Sequence, residues 1–143
     1  MKINLPTREE INVYNSLDEQ SACKNFFGKT LEEAEALFRE NPLHYQEDLM
    51  WMGPVAFQFY VQALIRYIKS SESQNDSDLI NCFVGLLESR LEPEPGKFLP
   101  VAKQLEETCR YVISNYERFD VTPEIYGDLR PHYENFIQKI SNL

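Results

Sequence analysis

Glycine is scarce in this sequence, with five in 143 residues. A sheet protein turning tightly between many strands usually needs more, because glycine reaches the positive φ angles such turns demand. Cysteine is scarce as well. The three present, Cys23, Cys82 and Cys109, are an odd number and form no Cys-x-x-Cys. That argues against a disulfide framework and predicts a reduced, cytosolic setting. The opening residues, Met1 to Glu10, hold no hydrophobic signal core.

Positive charge is short too. Fourteen Lys and Arg face 23 Asp and Glu, for a net charge of −9 and an isoelectric point near 4.7. Such a balance repels the nucleic-acid backbone and anionic lipid, so neither nucleic acid nor a membrane is the expected partner. A basic protein is compatible with it. No apolar run is long enough to span a bilayer. The longest, Met50 to Ile68, is interrupted by Gln58, Gln62 and Arg66 and falls short of the roughly 20 residues a span requires.

The signatures of common chemistry are missing. There is no Gly-x-Ser-x-Gly, no phosphate-binding loop and no Gly-x-Gly-x-x-Gly. His44, Glu47 and Asp48 have the three-and-four spacing of metal ligands, but only His132 and Glu134 hint at a second set, and no Glu-x-x-His occurs. No metal and no cofactor are expected. Cys109 lies on an apolar helical stripe and Cys82 adjoins Phe83, which predicts two buried, inert thiols. Cys23, beside Lys24, is the cysteine expected at the surface, and no base accompanies it. The acid pairs Glu9–Glu10, Glu32–Glu33, Glu47–Asp48 and Glu106–Glu107 are adjacent in sequence. On a helix such neighbours diverge by about 100° and do not converge on one atom. The sequence therefore favours a protein that is not an enzyme.

What is present is helical periodicity. Thr7-x-x-Glu10 and Thr30-x-x-Glu33 have the spacing of capping boxes, in which side chain and backbone cap each other at a helix start. A helix is expected after Thr7, with Ile11, Tyr14 and Leu17 on one face, ending near 18–21 and followed by a connector over 23–28. Leu31, Ala34, Leu37 and Phe38 form the stripe of a helix stopped by Pro42. Another turn or two are expected over 43–49. Pro54 then opens an apolar helix whose only polar side chains, Gln58, Gln62 and Arg66, fall four apart on one thin stripe. Residues 70–77 carry no apolar side chain and predict the most mobile internal loop. Helices are further expected from about 78 to 91, from 98 to 119 with Pro100 in the first turn, and from Thr122-Pro123 to the end, where Gly127 and Pro131 predict a kink or two pieces. The expected fold is one all-α domain over 1–143, with about six helices around a central apolar helix at 54–69.

Two candidate surfaces follow. Residues 32–48 carry six acids against Arg39, and residues 72–94 six acids against Arg90. Tyr45 and Trp51, the only tryptophan, adjoin the first segment. Glu40, Tyr45, Glu47, Asp48 and Trp51 thus form a candidate surface for a basic protein partner, with aromatic anchors inside an acidic rim. The alternative lies on the central helix. Gln58, Tyr60, Gln62 and Arg66, with Tyr67 nearby, are candidates to line a pocket for a small molecule or anion, or for a hydrolase. If that helix is enclosed, Arg66 must reach water or pair with an acid such as Asp48, Asp78 or Glu88.

Met52-Gly53-Pro54-Val55-Ala56-Phe57-Gln58-Phe59-Tyr60 resembles a group of small bacterial all-helical proteins that share a Pro-x-Ala-Phe-x-x-Tyr helix start. A later Thr/Ser-Pro-Glu helix, here at Thr122-Pro123-Glu124, belongs to the same resemblance. Together the two blocks cover about a quarter of the chain, and Val61-Gln62-Ala63 stands where the group has a proline-containing continuation. The shared motif is structural and brings no activity with it. What it implies is a small helical protein of the kind found beside secreted toxins as an immunity factor.

Overall fold

A computed structural model describes residues 4–143. Among the described residues the chain is all-α, with nine α-helices, three 3-10 segments and no strand. It divides into two compact units, Met1–Ile68 and Lys69–Leu143.

The first unit begins with three helix starts of one design. Helices α1 (Arg8–Ile11), α2 (Leu17–Phe26) and α3 (Leu31–Glu40) each open on a closed capping box, at Thr7/Glu10, Ser16/Glu19 and Thr30/Glu33. At the third, the Thr30 N–H donates to Glu33 Oε1 at 2.9 Å and the Glu33 N–H to Thr30 Oγ1 at 3.1 Å. Two otherwise orphaned donors are satisfied at each start. The Ser16 box corrects the sequence expectation: α1 stops at Ile11, and the stretch expected to be a connector, residues 23–28, is mostly the second half of α2. Tyr14 and Leu17, expected on a buried face, are exposed.

Asn41 joins α3 to α4 (Pro42–Trp51), and its Oδ1 accepts the His44 N–H at 3.3 Å. Pro42 sits at the first helical position, where its missing N–H costs nothing. Helix α4 runs ten residues, more than the turn or two expected. Helix α5 (Pro54–Lys69) occupies the range foreseen for the apolar helix, with nine of its sixteen residues buried. Phe26 is the hub of this unit's core. Its ring lies 5.0 Å from Tyr60, 5.7 Å from Phe38 and 6.2 Å from Tyr45. Full burial of a side chain such as Phe26 or Phe38 contributes roughly 1.5–3 kcal/mol.

Gly53, between α4 and α5, ties that junction to α1. Its N–H donates to the Ile11 carbonyl at 2.9 Å. A Cβ there would lie 2.2 Å from the Glu10 carbonyl oxygen and 2.6 Å from Val13 Cγ2. Only glycine allows the two backbones to approach so closely.

In the second unit, α6 (Ser77–Leu91) starts at Asp76, whose Oδ1 accepts the Leu79 N–H at 3.3 Å. Residues 70–77, expected to be mobile, are tethered. They contain a 3-10 turn at Ser71–Ser73, and Ser73 is fully buried. The Arg118 guanidinium donates to Ser73 Oγ and to the Ser70 carbonyl, and the Asn75 N–H donates to the Arg118 carbonyl at 2.9 Å. The single helix expected over 98–119 resolves into a 3-10 stretch at Pro95–Val101, α7 (Ala102–Ser114) and a 3-10 turn at Tyr116–Phe119. Pro100 accounts for the first break, since it lacks the N–H that an α-helix would use.

The last segment is two pieces, α8 (Pro123–Tyr126) and α9 (Arg130–Ser141), separated at Gly127, whose φ of +66° suits glycine. Helix α9 packs along α7. The buried Tyr133 hydroxyl donates to the Ile80 carbonyl at 2.6 Å, linking α9 to α6. The Leu129 N–H donates to Tyr116 Oη at 2.9 Å just before α9 begins.

Candidate functional site

Both candidate surfaces fall in the first unit. On α4, residues at positions 43, 47 and 51 recur every four and share a face. Leu43, Glu47 and Trp51 are all exposed, as are Glu40 and His44. Trp51 is 51 % exposed, high for a lone tryptophan in a chain with an ample core. Tyr45 is half-buried, its ring edge-on to Phe26 and 4.8 Å from the His44 ring.

Asp48 departs from the expectation. It is buried, and its Oδ2 accepts the Asn25 amide at 2.8 Å. Burial pushes its carboxyl above the ordinary aspartate value, with the Asn25 hydrogen bond opposing. Asp48 therefore joins α4 to α2 and does not face a partner. Among the described residues no group of three His, Cys, Asp or Glu side chains is placed to hold a metal ion.

On α5 the polar stripe lies outward. Gln58 and Gln62 are half-buried and Arg66 is exposed. Gln62 Nε2 donates back to the Gln58 and Phe59 carbonyls, at 3.3 and 3.2 Å. Arg66 has no carboxylate partner among the described residues, so of the two options it takes water. Tyr60 corrects the expectation for this site. It is fully buried, and its hydroxyl is shared between the Phe26 and Lys29 carbonyls, each at 2.8 Å. Burial pushes its hydroxyl up to about 12. It closes the turn after α2, where Gly28 has a φ of +79°, and lines no pocket. Tyr67 is buried as well.

The cysteines are rearranged relative to expectation. Cys23 is buried and Cys82 is half-buried. Cys109 is buried as foreseen, and burial holds its thiol near 12, far from the thiolate a nucleophile needs.

Sequence reasoning missed two features. One is the turn over residues 12–16, where Tyr14 projects beside a buried Glu19. Its signal was the Ser16-x-x-Glu19 spacing. The other is a pair of open grooves in the second unit, about 520 and 530 Å³, meeting at Ile113 and Ser114. Their arginines have neighbours already. Arg130 forks onto Asp128 at 2.9 and 2.8 Å, and Arg118 holds the 70–73 turn. No sequence pattern announces those grooves.

Comparison of the chain with family models, curated proteins and solved structures finds no match. No helix among the described residues is long and apolar enough to cross a membrane.

Proposed function

We propose that this chain is a non-enzymatic protein-interaction module that binds a basic protein through the outer face of α4. The observation that carries the reading is the half-exposed Trp51 in line with Leu43 and Glu47, with Glu40 exposed nearby. Large aromatics inside a polar, charged rim dominate the energetics of many interfaces. A net charge of −9 speeds encounter with a cationic partner and penalises anionic ones. Neutralisation of a toxin domain is the specific form this reading takes, in keeping with the resemblance at 52–60.

The test uses Trp51 as its reporter, since it is the only tryptophan in the chain, with the emission of the partner alone subtracted. A basic protein co-purified from the source cells is titrated against the purified chain. The expected result is a shift of tryptophan emission on binding, an affinity that falls with salt, and a further loss in Glu47→Lys. Binding that leaves Trp51 emission and salt dependence untouched would overturn the reading.

The alternative, a small-molecule, anion or hydrolase site beside α5, has less support. Tyr60 is sealed into the core and the Gln62 amide turns back onto its own helix. Thermal shift with inorganic phosphate and sulfate is expected to show no stabilisation. A saturable rise lost in Arg66→Ala would reinstate that site.

A further inference from the structure

Tyr14 and Leu17 are 84 % and 83 % exposed, the highest values for large apolar side chains among the described residues. Val13 beside them is exposed as well. Single apolar side chains at a surface need no explanation, but three within five residues form a patch.

The turn that carries them is built rigidly. Asn15 sits in the left-handed region at a φ of 57°. Its Oδ1 accepts from Asn12 Nδ2 and from Gln20 Nε2, both at 3.1 Å. The buried Glu19 carboxylate accepts the Tyr14 N–H at 2.9 Å, the Ser16 N–H at 3.1 Å and the Ser16 hydroxyl at 2.6 Å. Burial opposes the charge of Glu19, yet these hydrogen bonds together hold its carboxyl below the usual glutamate value. The fold thus spends backbone order on a turn whose apolar side chains take no part in the core. Such preorganisation lowers the entropy cost of docking.

The turn is also continuous with the α4 end. Val13 Cγ2 approaches Gly53 closely, and the Gly53 N–H is bonded to Ile11. Trp51 and Val55, both exposed, flank Gly53 two residues away on either side. The turn is thereby held against the junction between α4 and α5.

We infer that the 13–17 turn is an anchoring knob, with Tyr14 and Leu17 seated in an apolar pocket on the basic protein that α4 engages; this rests on the function proposed above. Charge selects the occupant. Glu9, Glu10 and Asp18, none of them buried, surround the knob in sequence, and no Lys or Arg lies between positions 9 and 23. A second copy of this chain would bring the same acids face to face, and an anionic lipid surface would be repelled.

The test places p-benzoylphenylalanine at position 14, and separately at position 43 on α4, in the full chain expressed at native level in its own cells. Adducts formed on illumination are identified by mass spectrometry. Both positions should trap the same basic protein. With that protein purified, the double variant Tyr14→Ser/Leu17→Ser should bind about ten-fold or more weakly by calorimetry. Its unfolding midpoint should not fall, because neither side chain is in the core. If position 43 traps a basic protein while position 14 traps nothing, an acidic protein or a second copy, the knob is refuted and the α4 reading stands. Unchanged affinity in the double variant refutes the knob equally. An adduct with a basic protein at position 14 alone refutes the α4 contact and keeps the knob. Silence at both positions overturns both.

Discussion

The Arg118 guanidinium donates to the hydroxyl of Ser73 at 3.1 Å, joining residues 45 positions apart. Ser73 is fully buried, and its hydroxyl donates in turn to the Ser70 carbonyl at 3.1 Å. The second arm of the fork reaches the Ser70 carbonyl. Arg118→Ala is expected to cost about 1.5–3 kcal/mol, the worth of hydrogen bonds from a charged donor. Hydrogen exchange should speed up at the amides of 73–76 more than elsewhere in the second unit. Arg118→Lys should rescue little, because an ammonium cannot reproduce the planar fork.

Tyr60→Phe removes the hydroxyl shared by the Phe26 and Lys29 carbonyls while keeping the ring against Phe26. A loss of about 1–2 kcal/mol is expected by urea unfolding. The alkaline limb should change too. The folded hydroxyl titrates near 12 against an ordinary value of 10.0. A raised folded value gives stability that is complete below pH 10 and lost as pH climbs through about 12. The wild type should show this loss in its urea midpoints between those values, and Tyr60→Phe should show less of it.

Gly53→Ala places a methyl group 2.2 Å from the Glu10 carbonyl oxygen. Backbone cannot yield as a flexible side-chain tip can. The expected cost is about 1–3 kcal/mol, read as a lower thermal midpoint with weakened protection of the amide at 53. Gly85→Ala is the control, since nothing lies within 4 Å of its added methyl group and it sits inside α6. That change should be neutral or mildly stabilising.

Asp48→Asn should stabilise the protein at neutral pH. Burial raises the folded pKa of Asp48 above its ordinary 3.8. The folded state then holds the proton more tightly than the unfolded chain. Stability from this group is full below pH 3.8 and is lost as pH rises through the folded value. An asparagine can accept the Asn25 amide without carrying charge. The expected gain is about 1 kcal/mol at pH 7, shrinking to none near pH 3, by urea midpoints across that range.

Much of the fold was legible in the sequence because its signals are local. Pro54 and the four-residue spacing of Gln58, Gln62 and Arg66 marked α5 to its observed ends. Pro42, the Thr30 box and the Pro93–Pro95 stop did the same for α3 and α6. The misreadings arose where a strong apolar pattern masked a weaker polar one. Ile11, Tyr14 and Leu17 mimic a helical stripe, and only Ser16-x-x-Glu19 reveals that a new helix starts between them. The tether on residues 70–77 could not be read locally, because its donor lies at Arg118. The candidate surface was half legible for a related reason. The sequence set Tyr45 and Trp51 beside the acids of 32–48, but whether Asp48 turned outward depended on Asn25, 23 residues away.

The three consecutive capping boxes have a consequence for the order of events in folding. Each closes between residues three apart, so each helix start forms against a negligible loop entropy. The Tyr60 clasp closes 31 and 34 residues and can form only after α5 has arrived. The first unit should therefore nucleate at Ser16 and Thr30 and lock at Tyr60. In chevron kinetics Ser16→Ala would slow refolding, whereas Tyr60→Phe would chiefly hasten unfolding. The clasp would then govern how long the turn bearing Gly28 stays closed once the chain is folded.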